Sequence, residues 1–252
     1  VRMLFKQVYL AMPAPRFSCQ EQETLILEAA AKCIEATSLL DFTMSAISKE
    51  AGLSMGSIYK HIQSKEDVLV ALGYHYQLHF MAVVKQIFAL PLPAVARIPA
   101  VQLMDHSLVS PFGFAPQLET LLGNEAILRR ASPGWLEKFI AVDIAVEDLF
   151  QQEILRACGE GELLVEASQQ EAIADELVTS MWSICVGHTQ VQMQRSARNF
   201  LEQQLPDRPR LESDSVIVRS MTRMMNTYPW TTPLTEELLA TTCQLLQKQG
   251  LR

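Results

Sequence analysis

The sequence is poor in the features that enzyme active sites and cross-linked folds require. Only ten of its 252 residues are glycine, and none falls in a phosphate-binding pattern. The nucleophile motif G-x-S-x-G and the zinc-protease motif H-E-x-x-H are both missing. The five cysteines form no C-x-x-C pair, so neither a disulfide framework nor a structural zinc site is expected. These absences argue against an enzyme and predict a protein without a cofactor or a bound metal.

The chain also lacks a long uninterrupted apolar run and a general excess of basic residues. Without such a run no membrane span is expected, and we predict a cytoplasmic protein. The formal net charge is −7, which argues against a chain that binds nucleic acid over its whole surface. The segment Thr43–Lys65 differs, because it carries Lys49, Lys60 and Lys65 against Glu50 alone. A small basic surface on an acidic chain suits a protein that contacts DNA at one end.

The segment Thr43–Lys65 has the signals of two short helices joined by a tight turn. Thr43 is a good N-cap for the first helix, and Gly52 can take the left-handed conformation that ends it. Ser54 then caps a second helix, Met55–His61. Ser64 opens a third helix, with Asp67 three residues on as its capping-box partner. A helix, a glycine turn and a short helix are typical of a DNA-reading helix-turn-helix, although a helical hairpin with a solvated polar face has the same pattern.

The residues on and around the second helix suit contacts with a duplex. Gly56 lets a phosphate or a base edge approach the backbone closely, and hydroxyl and basic side chains bind phosphates. Met55 is expected to contact a thymine methyl group, and Ser57 a base edge. The predicted DNA-binding residues are Thr43, Ser45, Ser54, Met55, Gly56, Ser57, Tyr59, Lys60, His61 and Lys65.

The order of residues in this segment resembles one family closely. The string is Ile47-x4-Gly52-Leu53-Ser54-x-Gly56-x-Ile58-Tyr59-x-His61-Ile62-x-Ser64-Lys65-Glu66. It resembles the DNA-binding segment of the TetR family of bacterial repressors, and the resemblance runs from about Leu25 to Leu72. It implies an all-α protein in which a three-helix DNA-binding domain is joined by a long helix to a larger helical ligand-binding and dimerisation domain.

The breaks between the predicted helices indicate the domain organisation of the chain. Residues 1–18 form an N-terminal extension, 19–65 the helix-turn-helix domain, and 66–252 the helical regulatory and dimerisation domain. The extension is partly apolar and carries Lys6, which interrupts a signal-like run early. A basic arm that reaches the minor groove is a second interpretation of this extension.

The remaining chain is expected to be helical throughout. The long helix Ser64–Phe88 has a regular apolar stripe, and we interpret it as a lever between the two domains, although a plain core helix has the same pattern. Further helices are predicted at Ala94–Val109, Gln117–Ala131 (one helix, or two around Gly123), Trp135–Ala157, Ser168–Arg198, Ser215–Thr227 and Thr235–Lys248.

The helix within Ser168–Arg198 predicts a homodimer. Its stretch Leu177–Gln194 contains no charged residue and has apolar residues on two opposite faces, so we expect its own core on one side and a partner subunit on the other. Two copies would read two half-sites about 34–36 Å apart. The predicted dimer contact consists of residues 172–194 and 234–247.

An effector pocket is expected in the larger domain, because methionine and aromatic side chains suit an apolar cavity. Its candidate residues are Met104, Phe112, Phe139, Asp143, Met181, Trp182, Cys185 and His188. Ordinary core packing is the competing interpretation for most of them, and for His188 in particular. Asp143 lies on an inward stripe, where it would pair with a cationic effector or a nearby donor, or lie at the wet margin.

The predicted function is that of a dimeric, sequence-specific transcriptional regulator. The resemblance implies a repressor that a small apolar or aromatic effector releases from a palindromic double-stranded DNA operator. One alternative is a DNA-binding scaffold that recruits a protein partner and senses no small molecule. Another is a small-molecule-binding protein or enzyme that has lost DNA binding. The intact donors Tyr59, His61 and Lys65 argue against it.

Overall fold

The computed structural model describes residues 17–110, 112–198 and 211–252. Most of the predicted N-terminal extension, residues 1–16, lies outside the described residues. Within the described ranges the chain forms helices, and the predicted all-α class is confirmed. The α-helices are α1 Cys19–Ala36, α2 Met44–Ala51, α3 Met55–His61, α4 Lys65–Phe88, α5 Ala94–Leu103, α6 Ala115–Leu122, α7 Glu125–Leu128, α8 Pro133–Gly159, α9 Gln170–Ala197, α10 Val216–Met225 and α11 Glu236–Lys248.

The chain divides into two compact units between Gln63 and Ser64. The N-terminal unit contains α1, α2 and α3. Its buried side chains include aliphatic residues of α1 together with Phe42, Ile47 and Ile58, each of which is almost fully shielded from solvent, and α2 packs against both α1 and α3. This small apolar centre holds three helices whose outer faces remain polar.

Local capping explains where the helices of the N-terminal unit begin and end. The hydroxyl of Ser18 accepts the backbone N–H of Glu21, whose carboxylate in turn accepts the backbone N–H of Ser18. Thr43 caps α2 and Ser54 caps α3 through their side-chain oxygens. Gly52 ends α2 at φ +65°, the left-handed conformation that favours glycine.

The second unit begins with α4 and is built around α5. Nearly every residue of α5 is buried, and α4, α8, α10 and α11 all pack against it. Helices α4 and α8 run in the same direction along their shared seam. Gly73 of α4 faces Phe139 of α8, and further along Gln77 meets Asp143. No helix among the described residues combines the length and the apolar character needed to cross a membrane.

The helix predicted at Ala94–Val109 is too long. Helix α5 ends at Leu103, and a short 3-10 helix follows at His106–Leu108. The carboxylate of Asp105 accepts the backbone N–H of Ser107, while the backbone N–H of Asp105 donates to the carbonyl of Leu251. These hydrogen bonds to partners outside the helix replace the backbone hydrogen bonds that would have continued it. Between 117 and 131 the two-helix alternative is correct, since α6 and α7 flank Gly123 and Asn124.

A buried ion pair fixes the start of α5. Arg97 donates to Glu153 of α8 over 2.7 Å and to Glu162 over 3.5 Å. The second carboxylate oxygen of Glu162 accepts the backbone N–H of Ala94 at 2.5 Å. Glu162 therefore supplies a cap that Pro93, the residue before α5, lacks.

Candidate nucleic-acid interface and effector site

Helix α3 is anchored to the N-terminal unit on one side only. Ile58 is its buried residue, and Ile62 is buried directly after it. Gly56 and Lys60 are exposed, and 47% of the Tyr59 surface is accessible. The described residues of the N-terminal unit therefore leave the outer face of α3 free for a ligand as wide as a duplex groove.

The turn before α3 has little conformational freedom. The backbone N–H of Leu53 donates to the carbonyl of Ser48, and the hydroxyl of Ser48 donates back to the carbonyl of Leu53 over 2.7 Å. Together with the left-handed Gly52, this pair of bonds sets the angle between α2 and α3. A helix that reads the groove needs such a fixed angle, because the helix before it crosses the DNA backbone and sets its position on the duplex.

The predicted DNA-binding hydroxyls are exposed or half-buried and are paired locally. Thr43 and Ser45 share a hydrogen bond of 3.1 Å, and Ser54 and Ser57 share one of 3.0 Å. Met55 and His61 are half-buried. Lys65 is the first residue of α4 and belongs to the second unit. The hydroxyl pairs keep acceptor or donor capacity for a phosphate or base edge.

One supporting residue was absent from the prediction. The side-chain carbonyl of Gln22 on α1 lies 3.4 Å from Nε2 of His61 at the end of α3. Gln22 thereby connects the end of α3 to α1 through the His61 ring. The two residues are 39 positions apart, and no local pattern in the sequence links them.

The predicted effector residues are distributed over several environments. Met104, Phe139 and Met181 are buried, and Phe112, Asp143, Cys185 and His188 are half-buried. Trp182 is 50% exposed. Phe112 stacks on Phe114, with ring centroids 5.4 Å apart. Met104 and Met181 belong to one core cluster, against which Cys185 packs.

The seam between α4 and α8 gathers the polar and aromatic groups best suited to an effector. Gln77 donates to Asp143 over 3.3 Å. Beyond them Phe80 stacks with Phe150, and Phe150 meets Phe88 edge-on at 5.2 Å between ring centroids. This seam has one carboxylate at its centre and a series of flat rings toward its far end.

Burial perturbs three of the candidate groups. It raises the pKa of the Asp143 carboxyl above its ordinary value. Burial also raises the pKa of the Cys185 thiol to about 12, with a smaller contribution from the charge of Glu119. The pKa of His188 is lowered by burial and then by Arg195, which favours the neutral ring. Among the described residues, no group of three or more His, Cys, Asp or Glu side chains could hold a metal ion.

An exposed, capped short helix behind a glycine turn, joined to a larger helical unit, defines a helix-turn-helix DNA-binding regulator. The family model described as "Bacterial regulatory proteins, tetR family" matches residues 26–72. This match covers most of α1, all of α2 and α3 and the start of α4, so residues 26–72 are similar to the DNA-binding segment of TetR-family transcriptional regulators. No curated protein matches the chain.

Solved structures of similar fold include several regulators of this family. SmeT of Stenotrophomonas maltophilia, the repressor of the multidrug efflux pump SmeDEF, is 18% identical with a TM-score of 0.52, covering 88% of this chain and 96% of that one. A TetR/AcrR-family regulator from Thermobifida fusca is 17% identical with a TM-score of 0.54, covering 81% and 96%. A TetR-family protein from Rhodococcus sp. is 15% identical with a TM-score of 0.53, covering 81% and 97%. At these identities the likeness concerns the fold.

Proposed function

We propose that this regulator is a homodimeric repressor that binds a palindromic operator and is released by a small apolar or aromatic effector. The observation that carries the proposal is the free outer face of α3, where Gly56 exposes backbone between hydroxyl and basic side chains. One such short helix contacts too few base pairs for useful specificity, which therefore requires two copies on two half-sites. The residues proposed for contact are those predicted from the sequence.

Most of the proposed DNA contacts bind the phosphate backbone. Tyr59, Lys60 and Lys65 are suited to phosphates, and α3 carries no Arg, Asn or Gln to form bidentate pairs with bases. Met55 and Ser57 are left to read bases, with DNA shape as a further source of specificity. Enrichment of bound fragments from a random DNA pool tests this proposal, because the recovered sequences report both affinity and symmetry.

The dimer contact is proposed on the exposed side of α9, together with α11. Trp182, Val186 and Val191 of α9 are 50%, 56% and 44% exposed. Between them, Ser183 and Gly187 are exposed and small, so that a second helix can approach closely. Several large apolar side chains exposed on one helix are typical of a protein–protein contact. Covering them in a dimer removes them from water.

The effector site is proposed along the seam between α4 and α8. Phe139 and Asp143 lie on it, and the aromatic side chains beyond them offer flat apolar surface. An effector between these helices would favour one arrangement of α4, and α4 begins two residues after Gln63, the last residue of the N-terminal unit. Coupling of this kind typically changes affinity by about 1–3 kcal/mol.

A thermal-shift screen separates this proposal from a DNA-binding scaffold that senses no small molecule. Hydrophobic and aromatic compounds raise the melting temperature only if they bind the folded chain. Hits that also lower affinity for the selected DNA support the repressor, whereas hits that leave DNA affinity unchanged contradict release by effector.

A further inference from the structure

The first turn of α4 contains an acidic residue that is completely buried. Asp67 has 0% of its surface exposed. Its carboxylate Oδ1 accepts the backbone N–H of Ser132 at 2.6 Å. Ser132 is the N-cap of α8, and its own side chain makes no capping hydrogen bond. Asp67 therefore places a carboxylate from one helix at the N-terminus of another, where backbone N–H groups and the helix dipole favour negative charge.

The neighbouring residue forms a second connection between the same two segments. Glu66 pairs with Arg130 over 3.0 Å, and only 15% of the Glu66 side chain is exposed. Arg130 lies two residues before Ser132, in the link between α7 and α8. We call the four residues Glu66, Asp67, Arg130 and Ser132 the α4–α8 junction.

The junction lies at a position from which it can influence DNA reading. Gln63 is the last residue of the N-terminal unit, and Ser64 is the N-cap of α4. Only three peptide bonds therefore connect the junction's Glu66 to the DNA-binding unit. On its other side, α8 continues from Ser132 to Phe139 and Asp143, which line the proposed effector seam.

We propose that Asp67 is a positioning residue for DNA binding, through which the start of α8 holds the segment of α4 that leads into the DNA-binding unit. The inference rests on the proposed DNA-binding function and adds to it the place where regulation is transmitted. The hydrogen bond from Ser132 compensates part of the cost of burying the Asp67 carboxylate, so a displacement of the start of α8 would act on the first turn of α4.

The competing explanation is a purely structural cap, and the chain contains a matched control for it. Glu162 also places a carboxylate at a helix N-terminus in the same unit, through Ala94 of α5. Glu162 is far along the chain from Ser64 and is part of neither the junction nor the proposed sites. Loss of either cap should lower the melting temperature. Only the loss of Asp67 should also lower the affinity for DNA by more than the loss of stability explains.

The experiment compares D67A, D67N and E162A with wild type in the full chain. Melting is followed by circular dichroism, and affinity for a duplex selected from a random pool is followed by fluorescence anisotropy. We expect D67A to weaken binding by about tenfold, within the range usual for coupled sites, and E162A by less than about twofold. D67N keeps an oxygen that can accept the N–H of Ser132, so its loss of affinity should be smaller than that of D67A. If D67A does not fold, D67N is compared with E162A alone, and a larger loss in D67N is expected.

Amide hydrogen exchange provides a readout that a structural cap alone would not alter. In the wild type, addition of the duplex should change the exchange rate of peptides that contain Ser132, and the D67N variant should show a smaller change. Equal losses of affinity in the Asp67 and Glu162 variants, or an exchange rate at Ser132 that the bound duplex leaves unchanged, overturn the inference and leave the proposed function intact. A wild-type chain that enriches no duplex overturns both.

Discussion

Gln77 of α4 donates a hydrogen bond from Nε2 to Oδ1 of Asp143 on α8, over 3.3 Å. An amide donor compensates a half-buried carboxylate less than a cation does, and burial raises the pKa of Asp143. The pKa of Asp143 is therefore higher in the folded state than in the unfolded state. At pH values between these two pKa values, the native state binds more protons than the unfolded state. The charged carboxylate therefore lowers stability at neutral pH, and this effect disappears below the unfolded pKa.

Replacement of Asp143 by asparagine should raise the melting temperature at pH 7. Asparagine removes the charge and keeps an oxygen that can accept the bond from Gln77. The gain over wild type should shrink as the pH falls toward about 4, the ordinary pKa of aspartate. Paired thermal melts across this range measure it, with the exposed Asp148 of α8, replaced by asparagine, as the control. An Asp143→Asn variant that is less stable than wild type at pH 7 contradicts this explanation.

Gly56→Ala should separate stability from DNA binding. A Cβ atom at this position would meet only the Ser54 hydroxyl, at 3.8 Å. Alanine in a helix is favoured over glycine by about 0.8–1 kcal/mol, so the melting temperature should rise. The added methyl group would occupy the space where a groove edge approaches, so affinity for the selected duplex should fall. Higher stability with unchanged affinity would place the contact surface elsewhere.

Lys60→Ala should weaken binding to all duplexes alike. Lys60 is exposed on α3, and loss of one phosphate contact lowers the salt dependence of the logarithm of the binding constant by about one unit. Titrations at several salt concentrations, with specific and random duplexes, measure the slope. Lys32→Ala is the control, since Lys32 is already paired with Glu50 over 3.4 Å. A loss limited to one base position would argue for base readout by Lys60.

Val186→Glu should dissociate the proposed dimer. A charge on the exposed apolar side of α9 would be buried without a partner in the assembled pair. Light scattering at micromolar concentration should report a dimer for wild type and a monomer for the variant. Leu164→Glu, a change at another exposed apolar residue outside α9, should leave the dimer intact. A wild-type chain that is already monomeric argues against the contact itself.

The predicted elements that proved correct are those specified by neighbouring residues. Thr43, Gly52 and Ser54 act within three or four positions of themselves, and the structure gives α2, the turn and α3 where the sequence predicts them. The apolar stripe of α4 is likewise a local property. Signals of this kind depend on backbone geometry and short-range hydrogen bonds, so they can be read from the sequence without knowledge of the tertiary contacts.

The features that escaped prediction depend on partners that are distant in sequence. Helix α5 ends early because Asp105 bonds to Leu251, which follows it by nearly 150 positions. Asp67, in the first turn of α4, was expected to close a capping box with Ser64. Ser64 does accept the backbone N–H of Asp67, but the carboxylate of Asp67 bonds to Ser132 instead. Short-range rules identify a capable donor or acceptor, and only the packed chain decides between its possible partners.

The function proposed for this protein requires α3 of each subunit to read one half of a symmetric duplex. Enrichment of fragments from a random DNA pool, followed by sequencing, measures the symmetry of the bound site. We expect a palindromic site whose half-sites are separated by one helical turn or a multiple of it, about 34–36 Å per turn. Enrichment of a site without twofold symmetry, or no enrichment above the starting pool, would contradict it.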